Sequence, residues 1–282
     1  MADGVRLAAA GHAVQLKWHR LRRGAADIDF GIARLRDGLA AGAAMEVDLR
    51  CHAEGGFICL HDETLDRETD GSGPILGKSP DQLRRLRLRG RDGAATDQPP
   101  LLLEDLVDIL APARSDARVQ LDLKEPRARL SNACIRNFAG LAARCAGRLS
   151  LSGEDWQAVS ALGSRVPGLE LGFDPCELPE VPLLHKAADF AAFVRLTLAT
   201  APMAAMIYLQ YPLILASLDA GFDIVAAFHD AGRRVDAWTL DPSMPGFAAS
   251  LRRLVACRVD QITTNDAIGV QSAWEKMGAG RG

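Results

Sequence analysis

Met45-Glu46-Val47-Asp48-Leu49 alternates apolar residues with carboxylates, and Phe57-Ile58-Cys59-Leu60-His61 follows it after a turn at Glu54-Gly55-Gly56. Alternation with a period of two is typical of a β-strand, so the first run predicts a strand whose Glu46 and Asp48 side chains share one face. Their Cα atoms would lie roughly 6–7 Å apart. Because neighbouring carboxylates repel each other and are costly to bury, we expect a positive group between them. The second run predicts a short strand that delivers His61 at its end.

The rest of the chain alternates predicted strands with predicted helices. Strands are predicted at 14–18, 45–49, 57–60, 119–123, 149–151, 169–173, 206–209, 234–238 and 261–263. Helices are predicted at 29–41, 80–86, 102–110, 130–146, 155–165, 182–199, 213–232 with a break at Gly221, 247–256 and 268–277. Repeated strand–helix units over this length indicate a parallel sheet covered by helices, either an open doubly wound sheet or a closed barrel.

The polar residues favour the closed barrel. Seven of them lie at or just past the ends of predicted strands: His19, Glu46, Asp48, His61, Asp122, Lys124 and Trp238. In a parallel barrel the carboxyl ends of the strands share one rim, where active sites sit. An open sheet would favour a glycine-rich phosphate loop after its first strand, and His19-Arg20-Leu21-Arg22-Arg23-Gly24 is not such a loop. We therefore predict an α/β protein of the TIM (β/α)8 barrel type, one domain over residues 1–282, with a polar excursion at about 62–100.

Composition argues against several classes of partner. With 33 Lys and Arg against 36 Asp and Glu, the 282-residue chain has a net charge of −3, so we expect no nucleic-acid partner. Stable membrane insertion is not expected either, because no stretch approaches the roughly 18 apolar residues of a span. Six scattered cysteines without Cys-x-x-Cys spacing favour a cytoplasmic location. The arginine-rich run at 84–91 lacks aromatic residues for base stacking and is interpreted as a lid above an anionic substrate.

A second alternating run, Leu121-Asp122-Leu123-Lys124, puts Asp122 and Lys124 on one strand face. Glu46, Asp48 and Asp122 are then three carboxylates from two strands without a cysteine, which is the type of oxygen site that suits Mg²⁺ or Ca²⁺. The alternative is that Asp122 and Lys124 form a salt bridge while the other two carboxylates pair with arginines. Because the pattern occurs twice beside two strand-end histidines, we favour the metal site.

His19 and His61 are the histidines at strand ends next to charged residues. Imidazole titrates close to working pH, so the two side chains together suit an acid–base pair beside a metal. Arg20 and Lys124 would supply fixed positive charge for a phosphate group. Trp238 is either a core residue or a wall of the substrate pocket.

The ordered set of motifs resembles the glycerophosphodiester phosphodiesterases, which are TIM-barrel enzymes related to phosphatidylinositol-specific phospholipase C. The set comprises His19-Arg20, Glu46-x-Asp48, His61-Asp62, Leu65-x-Arg67-x-Thr69, Asp122-x-Lys124, Trp238-Thr239 and Val259-Asp260-Gln261-Ile262-Thr263-Thr264-Asn265.

The resemblance implies a barrel with a small excursion after the second barrel strand. It also implies hydrolysis of a small-molecule phosphodiester to glycerol 3-phosphate and an alcohol, aided by a divalent cation, Mg²⁺ or Ca²⁺. The matching positions imply roles for seven residues. Glu46, Asp48 and Asp122 would be metal ligands, Arg20 and Lys124 would contact the phosphate, and His19 and His61 would be the catalytic acid–base pair. Trp238, from its place at a strand end, is the further candidate for a substrate contact.

The sequence departs from the family pattern at three points. Leu21 stands where the family usually has glycine, Asp29-Phe30 is the nearest match to a usual Pro-Glu-Asn-Thr segment, and Asp122 replaces a usual glutamate. Two other phosphodiesterase reactions therefore stay open, a lysophospholipase D-like and a phospholipase C-like one, as does a barrel that binds phosphodiesters without turnover. The sequence leaves both a monomer and a homo-oligomer open.

Overall fold

The computed structural model describes residues 2–9 and 11–278, apart from the side chains at 183 and 185. Within these residues the chain forms ten strands. They are β1 (Arg6–Ala9), β2 (His12–Trp18), β3 (Ala44–Cys51), β4 (Phe57–Cys59), β5 (Arg118–Leu123), β6 (Leu149–Gly153), β7 (Glu170–Phe173), β8 (Met206–Gln210), β9 (Arg234–Trp238) and β10 (Gln261–Thr264).

Eight of these strands form a closed parallel barrel. The ring runs β2-β3-β5-β6-β7-β8-β9-β10, and β2 closes it by pairing in parallel with both β3 and β10. The two remaining strands lie outside the ring, where β1 pairs antiparallel with β2 and β4 pairs antiparallel with β3. The predicted TIM barrel is confirmed, whereas β1 was not expected from the sequence.

Helices follow the barrel strands on the outside. They are α1 (Ile32–Ala41), α2 (Pro80–Arg84), α3 (Leu103–Leu110), α4 (Asn132–Ala142), α5 (Trp156–Gly163), α6 (Val181–Lys186), α7 (Phe190–Thr200), α8 (Tyr211–Asp219), α9 (Ile224–Asp230), α10 (Phe247–Ala256) and α11 (Ala267–Lys276). Aspartate side chains cap the first turns of several of them, including Asp155 on α5 and Asp223 on α9. The single helix predicted at 182–199 is wrong, because Asp189 caps the start of α7 and ends the preceding turn.

The predicted excursion lies between β4 and α3. It contains the short helix α2, which begins with a capping box at Ser79, and isolated bridges such as Thr69 to Leu88. Leu65, Leu83 and Leu88 are buried and belong to the same apolar core as the barrel. The excursion is therefore packed against the barrel and ordered by it.

Strand register places the predicted carboxylates side by side. In the β3–β5 pair, Asp48 lies opposite Asp122 and Glu46 lies opposite Gln120. Helix α1 approaches β3 closely at Gly38, where a Cβ atom would lie 2.2 Å from Met45 Sδ. A larger residue at position 38 would require the Met45 side chain to move.

Among the described residues no single helix is both long enough and apolar enough to cross a membrane. Helices α8 and α9, which meet at an angle of 101°, pass that test of length and composition only when taken together.

Candidate active site

A pocket of about 200 Å³ opens at the carboxyl ends of the barrel strands. All eight residues predicted for the site line it: His19, Arg20, Glu46, Asp48, His61, Asp122, Lys124 and Trp238. They come from four barrel strands or the turns just after them and from the residues just past β4, so the closed ring brings distant segments together. Trp238 is half-buried and contributes to the pocket wall.

The three predicted ligands form one carboxylate cluster. Glu46, Asp48 and Asp122 each offer an oxygen atom, and these atoms lie within 4.8 Å of one another. Glu46 and Asp48 are only 3% and 1% exposed. Burial, followed by the charges of the other two acids, raises the pKa of Glu46 well above its ordinary value. A buried carboxylate in this state gains stability from a cation, because the cation favours its charged form.

The third carboxylate is held by groups on its own and the next strand. Asp122 Oδ1 accepts a 2.7 Å hydrogen bond from Ser152 Oγ on β6, and Asp122 Oδ2 pairs with Lys124. Burial alone would raise the pKa of Asp122, but the charge and hydrogen bond of Lys124 outweigh it, and the pKa is lowered. Asp122 is therefore an ionised acceptor, although it is one methylene shorter than glutamate.

Basic side chains contact the same acids. Arg20 Nε lies 3.0 Å from Asp48 Oδ2, and Lys124 Nζ lies 3.3 Å from Asp48 Oδ1. The ion pairs that the sequence offered as an alternative to a metal site are therefore present for Asp48 and Asp122. Glu46 differs, since its side chain has no lysine or arginine partner among the described residues and accepts a hydrogen bond from the backbone N–H of Arg20 at 2.7 Å.

The turn after β2 departs from ordinary backbone geometry. Arg20 and Leu21 have φ values of 52° and 62°, the left-handed region that favours glycine. Leu21 is fully buried at this point, and its packing stabilises the turn without the glycine that the family usually has. Asp29 holds the turn from outside, because its carboxylate lies 3.4 Å from Arg20 Nη1 and 3.8 Å from Arg22 Nε.

A chain of hydrogen bonds sets the tautomer of His19. Its Nδ1 lies 2.8 Å from Asn265 Oδ1, and Asn265 Nδ2 donates to Asp241 Oδ2 at 2.7 Å. Because the carboxylate can only accept, it fixes the amide with its oxygen toward His19, whose Nδ1 must then carry the proton. Nε2 is left as an acceptor 3.9 Å from Glu46 Oε2. Burial, followed by the charge of Arg20, lowers the pKa of His19 and keeps the ring neutral.

His61 is oriented by a charged partner instead. Its Nδ1 donates to Asp62 Oδ1 at 2.8 Å, and the Asp62 carboxylate in turn accepts from Arg67 at 2.5 and 2.7 Å. The hydrogen bonds from Arg67 lower the pKa of Asp62, which is ionised at neutral pH. The Nδ1–H of His61 is therefore held by a carboxylate, whereas that of His19 is held by an amide oxygen.

The backbone around His61 is tied to the barrel. Glu68, which is 7% exposed, accepts hydrogen bonds from the backbone N–H groups of His61 and Asp62 at 3.1 and 2.9 Å. Arg50 on β3 donates to the carbonyl oxygens of His61 and Lys124, both at 2.7 Å. One arginine therefore links the rims of β3, β4 and β5.

Several residues of the site were not found from the sequence. Lys17 on β2 forms a buried ion pair with Asp236 on β9, with Nζ 3.1 Å from Oδ2, and lies over the Tyr208 ring. The alternation Leu16-Lys17-Trp18 was the available signal, but a lysine facing the barrel interior needs a partner from another strand. Glu154 and Asp174, which follow β6 and β7, also line the pocket.

The arginine-rich run does not form a lid over this pocket. None of residues 84–91 lines it, and Arg84 pairs instead with Glu104 and Asp105 on α3. The interpretation of the run as a cover for the substrate does not hold in this structure: Arg84 attaches the excursion to α3, while Arg87 and Arg89 donate to carbonyl oxygens within the excursion.

The arrangement can bind a dication at the carboxylate cluster and place a phosphodiester between Arg20, Lys124 and two imidazoles. The donor set fits a hard cation such as Mg²⁺ or Ca²⁺, because it consists of carboxylate oxygens and includes buried Glu46, which has no lysine or arginine side-chain partner among the described residues. Neutral Nε2 of His19 could accept a proton, and His61 could donate one.

Comparison with known proteins identifies relatives of this chain. The model of the glycerophosphoryl diester phosphodiesterase family matches residues 31–268. No curated protein matches the sequence significantly. Several crystal structures are similar, with low sequence identity, so they establish the shared fold alone.

One is a protein from Silicibacter pomeroyi DSS-3 described as a glycerophosphoryl diester phosphodiesterase, with TM-score 0.70, 20% identity and 94% of each chain covered. A glycerophosphodiester phosphodiesterase from Agrobacterium tumefaciens C58 has TM-score 0.65 and 21% identity, covering 93% of this chain and 99% of that one. An Oleispira antarctica phosphodiesterase in complex with the product sn-glycerol-3-phosphate has TM-score 0.65 and 17% identity, covering 93% and 96%.

Proposed function

The chain belongs to the glycerophosphoryl diester phosphodiesterase family, a family of phosphoric diester hydrolases, and on that basis we propose a specific reaction for it. The substrate is a glycerophosphodiester, and water cleaves it to glycerol 3-phosphate and an alcohol. The proposal agrees with the product sn-glycerol-3-phosphate in the similar Oleispira antarctica structure. The observation that carries it is the convergence of three carboxylates, two basic side chains and two differently oriented imidazoles on one pocket.

Glu46, Asp48 and Asp122 would hold a divalent cation, Mg²⁺ or Ca²⁺. Such an ion, when bound, neutralises charge that develops on the phosphate oxygens in the transition state. The buried positions of Asp48 and Glu46, and the raised pKa of Glu46, support this role, because a cation would favour the charged form of a buried carboxylate. The bond from Ser152 to Asp122 orients the third ligand.

Arg20 and Lys124 bind the phosphate group. Both contact Asp48, so their charged ends already face the position where a phosphate beside the carboxylate cluster would lie. Arg20 can donate two parallel hydrogen bonds to one phosphate, and Lys124 adds a point charge. Trp238 forms part of the pocket wall beside these groups.

His19 is the base and His61 the acid. His19 presents a neutral Nε2 because Asn265 holds its Nδ1–H, and it removes a proton from the attacking water or from a glycerol hydroxyl of the substrate. His61, oriented by its hydrogen bond to Asp62, donates a proton to the departing alcohol oxygen. General acid or base catalysis of this kind contributes about 10²–10⁴-fold to the rate.

The test is an assay with a panel of glycerophosphodiesters and product detection by ³¹P NMR. We expect glycerol 3-phosphate as product, loss of activity in EDTA, and recovery with Mg²⁺ or Ca²⁺. His61→Ala should lower kcat by about 10²–10⁴-fold. His229→Ala, which removes a histidine paired with Asp260 outside the pocket, is the matched control and should keep the activity.

Three results would each reject part of this proposal. Full activity in chelator would remove the metal, and an unchanged rate in His61→Ala would remove the acid. A cyclic phosphate as the end product would show a phospholipase C-like reaction, and calorimetric binding of diesters without turnover would show a binding protein.

We further propose that residues 1–282 act as one domain, since the excursion shares the core of the barrel. We also propose a cytoplasmic location, which is supported by six cysteines that form no disulfide in the described residues.

A further inference from the structure

A chain of buried side-chain hydrogen bonds leads across the barrel interior to one acid of the carboxylate cluster. It begins at Lys17 on β2, whose Nζ donates to Gln120 Oε1 on β5. Gln120 Nε2 donates to Ser152 Oγ on β6 at 2.7 Å, and Ser152 Oγ donates to Asp122 Oδ1 at 2.7 Å. Gln120 and Asp122 are two residues apart on β5 and therefore share a strand face.

The members of this chain are almost completely buried. Lys17 and Gln120 are 3% and 7% exposed at the pocket floor, and Ser152 is fully buried. A buried polar group that loses its partner is costly, because no bulk water replaces the bond. The buried setting therefore favours the arrangement in which every member of the chain is bonded.

Lys17 fixes the direction of every bond in the chain. An ammonium group can only donate, so the Gln120 amide presents its oxygen to Lys17 and its NH₂ group to Ser152. The Ser152 oxygen accepts there, and its single hydrogen is left for Asp122, whose carboxylate accepts it. The donor at one end thus determines what the acid at the other end receives.

Lys17 is itself held by groups on three further strands. Its Nζ lies 3.1 Å from Asp236 Oδ2 on β9 and 4.4 Å from the centre of the Tyr208 ring on β8. Asp236 Oδ1 accepts a 2.7 Å hydrogen bond from Thr263 Oγ1 on β10. The start of the chain is therefore anchored on the side of the barrel opposite to Asp122.

We propose that Lys17 and Gln120 are positioning residues, which act through Ser152 to orient the Asp122 carboxylate for a divalent cation. The inference rests on the proposed function, in which Asp122 is a metal ligand. Ser152 holds Oδ1 and Lys124 holds Oδ2, so both oxygens of this carboxylate have a fixed partner. Partners that orient a metal ligand from behind contribute to the affinity for the metal.

The test measures metal binding by calorimetry, so its readout does not depend on activity. The full-length protein is stripped with EDTA, dialysed, and titrated with Mg²⁺ or Ca²⁺ alone. The variants are Ser152→Ala, Gln120→Met and the double variant, and thermal unfolding in EDTA checks the fold of each. Position 120 is changed because Lys17 then keeps its ion pair with Asp236, whereas a change at position 17 would leave that buried carboxylate without its cation.

We expect Ser152→Ala to raise the dissociation constant for the metal by about 10–100-fold. Gln120→Met should raise it by about tenfold, because the Ser152 hydroxyl is then free to turn its hydrogen away from Asp122. The double variant should match Ser152→Ala within about twofold, since Gln120 reaches Asp122 only through the hydroxyl, whereas independent effects would multiply.

Gln261→Met is the matched control. Gln261 lies on another barrel strand, β10, is 7% exposed like Gln120, and donates to a glutamine, Gln15, at 3.5 Å. It does not line the pocket. The substitution should leave the dissociation constant for either ion unchanged.

Parental metal affinity in Gln120→Met would overturn the inference, including the case in which this variant unfolds at a lower temperature, because the chain would then serve stability alone. A double variant whose loss is the product of the two single losses would overturn it as well. If the parent protein bound neither ion, the metal site of the proposed function would fail and this inference with it. The two failures are distinguishable, because only the first leaves the parent protein with a bound ion.

Discussion

Asp241→Asn should inactivate the enzyme by reversing the tautomer of His19, although Asp241 does not line the pocket. The Asp241 carboxylate accepts three hydrogen bonds. Oδ1 receives the backbone N–H of Asn265 at 2.7 Å and Thr264 Oγ1 at 2.9 Å, while Oδ2 receives Asn265 Nδ2 at 2.7 Å. An amide at position 241 keeps the two bonds to its oxygen and presents an NH₂ group to the NH₂ group of Asn265.

Two facing donors cannot share a proton, and leaving them unpaired costs about 1–3 kcal/mol. The amide of Asn265 relieves this clash by turning its oxygen toward position 241. Its NH₂ group then faces His19 Nδ1, which must become the acceptor, so the proton moves to Nε2. With Nε2 protonated, the ring cannot take a proton from the nucleophile, and kcat should fall by about 10²–10⁴-fold. KM should change little, because the phosphate contacts are untouched.

A reciprocal double variant gives the strongest control. Asp241→Asn combined with Asn265→Asp places the carboxylate beside His19 and the amide behind it, so Nδ1 again carries the proton. We expect the double variant to recover at least about tenfold in kcat over Asp241→Asn alone. The new negative charge beside the ring should also raise the pKa of His19 and move the acid limb of the pH profile to higher pH.

The measurements are steady-state kinetics from pH 5 to 9 with thermal unfolding of each variant. Parental kcat in Asp241→Asn would refute the tautomer argument. A double variant that folds but is no more active than Asp241→Asn would refute it equally, because position 241 would then matter only for stability.

Two further predictions concern the metal and the pH profile. Asp122→Glu should push the carboxylate away from Ser152 and toward Asp48. In a metal titration of activity, the apparent dissociation constant for Mg²⁺ or Ca²⁺ should therefore rise about 10–100-fold. Equal or tighter metal binding would contradict a site built around aspartate. Burial and the charge of Arg20 lower the pKa of His19 from 6.5, so this base stays neutral to lower pH than an ordinary histidine. The acid limb of the pH profile of kcat/KM, measured at saturating metal, should therefore lie below pH 6.5. An acid limb above pH 6.5 would exclude His19 as the base.

Much of this site follows from local patterns in the sequence. Alternation in the runs at 45–49 and 121–124 is enough to put Glu46 with Asp48, and Asp122 with Lys124, on common strand faces. The rule that parallel strands share one rim then brings the two faces together. The register that sets Asp48 against Asp122 agrees with this expectation.

The remaining features depend on contacts between distant segments. Lys17 and Asp236 are 219 residues apart, and the sequence around each of them does not indicate that the other is its buried partner. The pairing of Arg20 with Asp48 is of the same kind, since the sequence indicates a positive group near the acids but not which one. The break before α7 is different, because it could have been predicted from the sequence. Asp189 is a recognisable helix-capping residue, but the prediction of one helix at 182–199 relied on apolar periodicity alone.

The anchoring of His61 has an evolutionary consequence. Its ring and backbone are held by Arg50, Asp62 and Glu68, and none of these anchors belongs to residues 70–100. The exposed parts of that segment can therefore vary while the acid keeps its place, provided that the buried Leu83 and Leu88 still pack against the barrel. The outer part of the excursion is therefore a place where substrate recognition can change while the residues that cleave the phosphodiester stay the same.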